Sequence, residues 1–410
     1  MKKQLLFLVL MMLPMVASAD DSGTCGENLT WTYVENTGTL TIIGNGDMYN
    51  YSSTGPFPWF SYAMNIHKLI ISNGVTSIGD FAFYYCCIAY VDIPNSIVKI
   101  GKYAFSYCSN LATINIPNSI TAIDRCTFGY CKSLRWINIP NSITEINNSA
   151  FRDCTGLTIV TIPQGVNKVD NYAFLNCSNL KYLILEPEKC SISSSAFNDC
   201  SLKQIICKSK TAGVSAFSSN AVVYVPQGTV ELYKNRWKNF SKMVEETDPN
   251  VCTRPIISYN NRILLFKCPT EDATFYSQII ASDDNEYNYT NEIQLGTTYH
   301  VIVYSQKNNY VSSPISTATL CWIDATPQTE GITNGVAQIA ARPVLVKTDN
   351  GFITVEGVDE RTNVSVYTTD GKQVGSAISQ NNTATIATSI QPGSIAIVKV
   401  GEKSVKVVVK

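Results

Sequence analysis

The sequence INIPNSITEINNSAFRDCTGL, residues 137–157, carries most of one unit of a repeat that recurs throughout the middle of the chain. Its phenylalanine, Phe151, is one of six that follow one another at intervals of 22 or 23 residues. A cysteine follows each phenylalanine by three residues, and an Ile or Val precedes it by five. Regularly spaced aliphatic residues with a period in this range predict a solenoid in which each repeat forms one coil. The six phenylalanines are Phe83, Phe105, Phe128, Phe151, Phe174 and Phe197.

Each repeat begins with a short strand whose side chains alternate between the inside and the outside of the coil. In LRWINIP, residues 134–140, this alternation points the aliphatic residues inward and Trp136 and Asn138 outward. Pro140 then ends the strand, because proline has no N–H to donate to a ladder. One coil cannot bury its apolar side alone, so neighbouring coils are predicted to share one core that includes the phenylalanines.

The chain has 14 cysteines, and six of them lie on the repeat period. Stacked strands are about 4.8 Å apart, so equivalent cysteines come within disulfide range. Side chains in register run parallel, however, and this geometry suits a bridge poorly. We therefore predict a column of buried thiols that behave as small apolar groups. No C-x-x-C pair is present, so a zinc site is not predicted. A disulfide between Cys252 and Cys321 stays an alternative for the later part of the chain.

The N-terminus, MKKQLLFLVLMMLPMVASA, has two lysines, an apolar run and an Ala-Ser-Ala sequence. This order predicts a secretory signal peptide over residues 1–19, and the apolar run is too short for a membrane span. No other segment is apolar enough to cross a bilayer. The net charge of −1 lacks the basic excess typical of nucleic-acid binding, so no nucleic-acid partner is expected.

A chain of 410 residues is expected to fold as several domains. The fold class predicted is mostly β, with the solenoid between a β-rich N-terminal cap and two small β-sandwich modules. The FPWF segment, residues 57–60, either plugs the start of the solenoid, which we favour, or extends a binding surface. The predicted boundaries are residues 20–66 for the cap, 67–245 for the solenoid with its closing cap, and 251–325 and 343–410 for the two modules.

The outward side of the solenoid strands is the predicted binding surface. Tyr90, Trp136 and Tyr182 recur there on alternate coils, which places them roughly 10 Å apart. Exposed aromatic rows are used in protein hot spots and in glycan stacking. The alternative is that these aromatics simply favour a strand or are covered by a flanking loop. The candidate ligand-binding residues are Tyr90, Asp92, Asn115, Trp136, Asn138 and Tyr182.

No catalytic site is predicted. The chain has only two histidines, and the regularly spaced aspartates fall on turns rather than facing one another. Catalysis needs convergent acid, base or nucleophilic groups. Neither a catalytic residue, nor a cofactor, nor a metal ligand is therefore assigned.

The repeat resembles the BspA-like leucine-rich repeat family, as in LATINIPNSITAIDRCTFGYC, residues 111–131, and in the segment that follows it. The opening CGENLTWTYVENTGTLTIIGNGDM, residues 25–48, is similar to the N-terminal cap of that family. The resemblance implies a leucine-rich repeat protein exported to the cell surface or secreted, with adhesion the usual proposal. Residues 343–410 resemble type IX secretion sorting domains in VSVYTTDGKQV and GSIAIVKVGEKSVKVVVK. The second of these lacks the aromatic residue common there, so a plain β-module is the alternative.

The function expected is that of an exported, non-enzymatic protein that binds a protein or glycan ligand on a host or neighbouring cell. The solenoid would carry the ligand site, and the β-modules would act as a spacer and as an export or anchor element. Two alternatives stay open. One is a structural, self-assembling surface-layer protein, and the other is an accessory glycan-binding module of an enzyme system.

Overall fold

The structure, a computed structural model, is mostly β with 5% helix. It describes residues 21–53, 57–215, 217, 219–240, 242–260, 263–281, 299–308, 310–327, 339–349, 351–368, 371–390, 394–400 and 403–409. The signal peptide predicted at residues 1–19 lies outside the described residues.

The N-terminal region is an antiparallel sheet that leads into the first coil. Trp31 and Tyr33 alternate with threonines along the second strand, which buries one face and leaves the other polar. The elements here are β1 (Asp21–Gly26), β2 (Leu29–Val34), a 3₁₀ helix (Glu35–Thr37), β3 (Thr39–Gly44), β4 (Gly46–Asp47) and a second 3₁₀ helix (Phe60–Asn65).

The solenoid has about seven coils, spaced about 23 residues apart, as the sequence predicts. Most of its strands are only two to four residues long. They are β5 (Lys68–Ile71), β6 (Val75–Ile78), β7 (Tyr90–Asp92), β8 (Lys99–Ile100), β9 (Thr113–Asn115), β10 (Ala122–Ile123), β11 (Glu145–Ile146), β12 (Ile159–Ile162), β13 (Lys168–Val169), β14 (Tyr182–Leu185), β15 (Lys189–Ile192), β16 (Gln204–Cys207), β17 (Gly213–Val214), β18 (Val222–Val225) and β19 (Met243–Glu245). Helix α1 (Val230–Arg236) lies between β18 and β19.

Two sheets form the front of the solenoid, in the orders β1-β2-β3-β5-β7-β9 and β12-β14-β16-β18-β19. Parallel pairing sets Tyr90 opposite Thr113 and Ile159 opposite Tyr182, in the register expected from the repeat. The two front sheets are separated by the coil that contains LRWINIP. There the predicted strand is wrong, because only Asn138 forms a bridge, with Asn115 of the preceding coil.

A column of stacked rings runs along the inside of the solenoid. Consecutive phenylalanines from Phe83 to Phe197 have ring centroids 5.0–5.8 Å apart. Trp59 of the FPWF segment stacks on Phe83, and Trp237 contacts Phe217 at the far end. Both indole N–H groups donate to a backbone carbonyl oxygen, each at 2.9 Å. The apolar column is therefore closed at each end by a tryptophan whose polar atom is satisfied.

The repeat cysteines form a second column beside the rings, and they are free thiols. The thiol of Cys131 donates to the carbonyl oxygen of Phe105 at 3.2 Å, and Cys154 donates to Phe128 at 3.0 Å. Burial raises the pKa of both thiols well above the ordinary value. Each thiol thus ties one coil to the coil before it and stays protonated.

The Ala-Phe segment of each coil also bonds its neighbour through the backbone. The N–H of Phe105 donates to the carbonyl oxygen of Thr127 at 2.9 Å, and that of Tyr107 to Gly129 at 2.8 Å. Tyr107 has a positive φ of 63°, and the residue two positions after each of the other five phenylalanines shares this conformation. Positive φ is unfavourable for bulky residues, so the inter-coil hydrogen bonds must hold it in place. No glycine marks these positions in the sequence.

The described residues after β19 lie mainly in β-strands. The strands are β20 (Ile256–Asn260), β21 (Ile263–Lys267), β22 (Thr274–Ala281), β23 (Tyr299–Gln306), β24 (Ser316–Pro327), β25 (Ile339–Asp349), β26 (Phe352–Glu356), β27 (Asn363–Thr368), β28 (Gln373–Ile378), β29 (Thr383–Ala387), β30 (Ile395–Val400) and β31 (Lys403–Val408). β20 and β21 form a two-stranded sheet, and two larger sheets have the orders β22-β23-β24-β25-β26-β29 and β28-β27-β30-β31.

One of these sheets crosses the boundary that the sequence suggests between the two modules. β24 pairs with β25 from Thr319 opposite Val346 to Pro327 opposite Ile339. The strands on both sides of residues 328–338 therefore share one sheet. The division into modules at 251–325 and 343–410 stays a prediction about folding units.

Candidate functional site: the solenoid front and the cleft beside it

The first coils leave their front open to solvent. Lys68 and Ile70 alternate with buried Leu69 along β5 and are exposed, Ile70 at 40%. Thr113 and Asn115 hold the equivalent places on β9 and are half-buried. We call this surface, the outward positions of β5, β7 and β9, the open face. Tyr90 and Asp92 occupy register positions between these pairs, and their side chains lie outside the described ones.

The front of the later coils is covered by described residues of the predicted module 251–325, which we call the β-module. Ile159 and Tyr182 are 7% and 1% exposed, although they continue the same outward file. They form a buried cluster with residues of the module, among them Ile302 and Ile315, and Tyr304 packs against it. The ring centroids of Tyr182 and Tyr304 are 6.3 Å apart. We call the outward positions of β12, β14, β16 and β18 the covered face.

Hydrogen bonds hold the module on the covered face. The side-chain amide of Gln204 donates to the carbonyl oxygen of Ser313 at 3.0 Å, and both residues are fully buried. The phenolic hydroxyl of Tyr224 donates to the carbonyl oxygen of Ser312. Burial raises the pKa of Tyr224 to about 12, so this hydroxyl keeps its proton at neutral pH. Directed polar contacts inside an apolar interface fix one docking position.

A cleft of about 610 Å³ lies where the covered face begins. This volume falls within the roughly 300–1,000 Å³ typical of ligand sites. The Trp136 ring stacks on His300 of the module, with centroids 4.2 Å apart and an angle of 22° between the planes. The lining from the solenoid includes Trp136, Asn138 and Thr161, and the lining from the later part of the chain includes Arg254, His300 and Thr317.

Asn138 is the notable polar group in the cleft. Its side chain is 6% exposed, and its Nδ2 has no hydrogen-bond partner among the described residues. A buried N–H group left unpaired costs about 1–3 kcal/mol. Asn115, one coil earlier, is half-buried at the end of the regular strand β9. The interruption of the front sheet thus coincides with a donor held next to an empty volume.

Four charged residues line the cleft: Glu186 and Lys208 have opposite charges, and Arg254 and Lys347 are paired within the protein. Arg254 forms an ion pair with Glu246 at 2.7 Å, and Lys347 pairs with Glu356. Lys347 also donates to the carbonyl oxygen of Ile257 at 3.3 Å. The cleft is therefore a mixed polar and aliphatic surface without an excess of either charge.

The structure divides the six predicted residues among three places: the open face, the cleft and the covered face. Tyr90, Asp92 and Asn115 belong to the open face, and Trp136 and Asn138 line the cleft. The expectation that Tyr182 faces solvent is wrong, because the module buries it. The sequence held a signal that we missed: among the outward positions of the strands, the later coils carry Ile159, Ile184 and Ile206, one on each of three consecutive coils. Apolar outward residues on consecutive coils indicate a covered strand face. Ligand binding by any of the six stays a prediction.

Among the described residues, no group of three or more His, Cys, Asp or Glu side chains could hold a metal ion. No helix in this part of the chain is long and apolar enough to cross a membrane.

The sequence matches the BspA type Leucine rich repeat region in six copies, over residues 57–179 and 98–223. The matched residues coincide with the stacked coils described above. No curated protein matches the chain.

Several solved structures are similar to the chain. A leucine rich cell surface protein from Faecalibacterium prausnitzii A2-165 is 21% identical with a TM-score of 0.25, over 40% of this chain and 60% of that one. A leucine-rich repeat protein from Bacteroides ovatus ATCC 8483 is 19% identical, with a TM-score of 0.29, over 54% and 67%. The leucine-rich repeat protein of T. pallidum is 22% identical, with a TM-score of 0.33, over 52% and 89%. The chain thus spans about three fifths of the F. prausnitzii protein, and surface location is stated for that protein alone.

Proposed function

We propose that this chain, which carries a BspA type leucine-rich repeat region across residues 57–223, is an exported, non-enzymatic binding protein of the cell surface or the extracellular space. Its ligand is a protein or glycan on a host or neighbouring cell. The observation that carries the proposal is the open face, a strand surface that the β-module leaves free while it covers the equivalent surface of later coils.

The open face has the composition of a binding surface rather than of a packed interior. Lys68 and Ile70 are exposed side by side on one strand, and the neighbouring β3 adds Ile43, which is 46% exposed. One six-stranded sheet contains β1, β2, β3, β5, β7 and β9. At about 4.8 Å per strand, this sheet is roughly 24 Å wide. A mixed apolar and polar surface of that width is suited to a macromolecular partner.

The N-terminal and C-terminal segments support export. The order of charged, apolar and small residues over 1–19 is that of a secretory signal peptide. We propose in addition that residues 343–410 act as a type IX sorting domain, on the strength of the two sequence pieces quoted above. Mass spectrometry of the mature protein, exported by a bacterium with type IX secretion, tests this part: removal of residues 343–410 supports it, and an intact C-terminus contradicts it.

An array of glycans and extracellular-matrix proteins, probed with the chain, tests the binding proposal. The double variant Ile70→Lys, Asn115→Lys should weaken binding to the selected ligand at least 10-fold without lowering the melting temperature. Tyr90→Ala and Asp92→Ala test the two other predicted residues of the open face. The control is Glu145→Lys, an exposed residue on a different sheet.

Unchanged binding by the double variant would contradict the open face as the site. Concentration-dependent oligomers without any ligand on the array would favour the self-assembling surface-layer protein instead.

A further inference from the structure

We propose that the cleft between the solenoid and the β-module is a second binding site, and that its ligand is an extended peptide segment with aliphatic side chains. The site is separate from the open face, so it does not depend on the function proposed for that surface.

The polar part of the argument is Asn138. Its amide donor is buried and unpaired beside the cleft, while the neighbouring polar anchors Gln204 and Tyr224 both donate to carbonyl oxygens of the module. Asn138 lines the cleft, so an acceptor that enters the cleft and reaches this amide would be the partner that the donor lacks. The backbone carbonyl of a peptide is such an acceptor, and it is uncharged.

The lack of excess charge also favours a neutral ligand. Arg254 and Lys347 are already paired with Glu246 and Glu356. An anionic ligand would have to compete with these carboxylates for the same cations. A peptide backbone needs no such exchange.

The apolar part of the lining distinguishes a peptide from a glycan. Glycans are recognised largely by stacking on free aromatic faces, and one face of the Trp136 ring is already occupied by His300. The other apolar groups that line the cleft are aliphatic: Ile159, Ile184 and Ile315 belong to the buried cluster between the solenoid and the module, and Ile256 lies on the module side. Ile256 is 61% exposed. Aliphatic walls on two sides suit the alternating side chains of an extended peptide.

The test uses the full chain and two probes: a library of random linear 10-residue peptides and an array of neutral and acidic oligosaccharides. Peptides selected on the wild-type protein are measured against Asn138→Leu, which removes the donor, and Thr161→Trp, which fills the cleft. The matched control is Asn115→Leu, which makes the same change on the preceding coil, on the open face. Melting curves confirm that each variant is folded.

We expect the selected peptides to bind at least 10-fold more weakly to both cleft variants and equally well to Asn115→Leu. The proposal is overturned if the folded protein selects no peptide above background. It is also overturned if the selected peptides bind Asn138→Leu and Thr161→Trp as tightly as they bind the wild type. A third contrary result is that oligosaccharides, and not peptides, bind the wild type and lose binding in the cleft variants.

Discussion

The ring column makes Phe128 the residue whose truncation should damage the solenoid most specifically. Its side chain is 1% exposed and stacks between Phe105 at 5.8 Å and Phe151 at 5.5 Å. Phe128→Ala opens a cavity in the middle of the column, where the neighbouring rings are held by their own coils. Such truncations cost about 3–5 kcal/mol. Each lost ring–ring contact is worth about 0.5–1.5 kcal/mol, which places this site at the upper end of that range.

A loss of about 5 kcal/mol should lower the melting temperature by roughly 10–20 °C, since about 2–4 °C is expected per kcal/mol for a domain of this size. Urea unfolding and thermal melting of the full chain, followed by circular dichroism, measure the effect. Phe128→Leu should fall between the wild type and the alanine variant, because it keeps part of the buried volume. Glu145→Ala, on an exposed position, should change stability by no more than about 0.5 kcal/mol. A loss below about 1 kcal/mol for Phe128→Ala would refute a shared ring column as the main support of the coils.

Two further predictions concern coil stacking and the thiols. Gly165→Ala should destabilise the chain by about 1–3 kcal/mol in urea unfolding, because a Cβ there would lie 1.9 Å from the carbonyl oxygen of Asn141. Gly129→Ala should be nearly neutral, because the atom nearest to its Cβ would be 3.5 Å away. Equal effects of the two substitutions would contradict the close stacking of turns. The buried thiols keep their protons in the folded protein, whereas those of the unfolded chain ionise near the ordinary pKa of 9.0. The contribution of these thiols to stability should therefore be constant below about pH 8 and fall as the pH rises through 9, by about 1.4 kcal/mol per pH unit for each thiol. The double variant Cys131→Ala, Cys154→Ala should show a shallower fall, and an unchanged slope would argue against this origin.

Recurrence made the solenoid predictable from the sequence. The spacing of Phe128, Phe151 and Cys154 repeats a local pattern, and stacked coils meet only their immediate neighbours. A pattern that predicts one coil thus predicts the contacts of the next. The ring column, the thiol column and the register of Tyr90 with Thr113 all follow from it. The positive φ of Tyr107 does not, because hydrogen bonds from the adjacent coil impose a conformation that tyrosine does not favour by itself.

Which part of the solenoid front stays accessible was decided only by the tertiary structure. The sequence alone placed Tyr90, Trp136 and Tyr182 in one outward file, and it did so correctly in register. Tyr182 is nevertheless buried, because a segment more than 100 residues further along the chain, around Ser313, docks on it. No local period encodes a contact across that distance. The same docking creates the cleft beside Asn138, so the candidate peptide site exists only where two separately encoded surfaces meet.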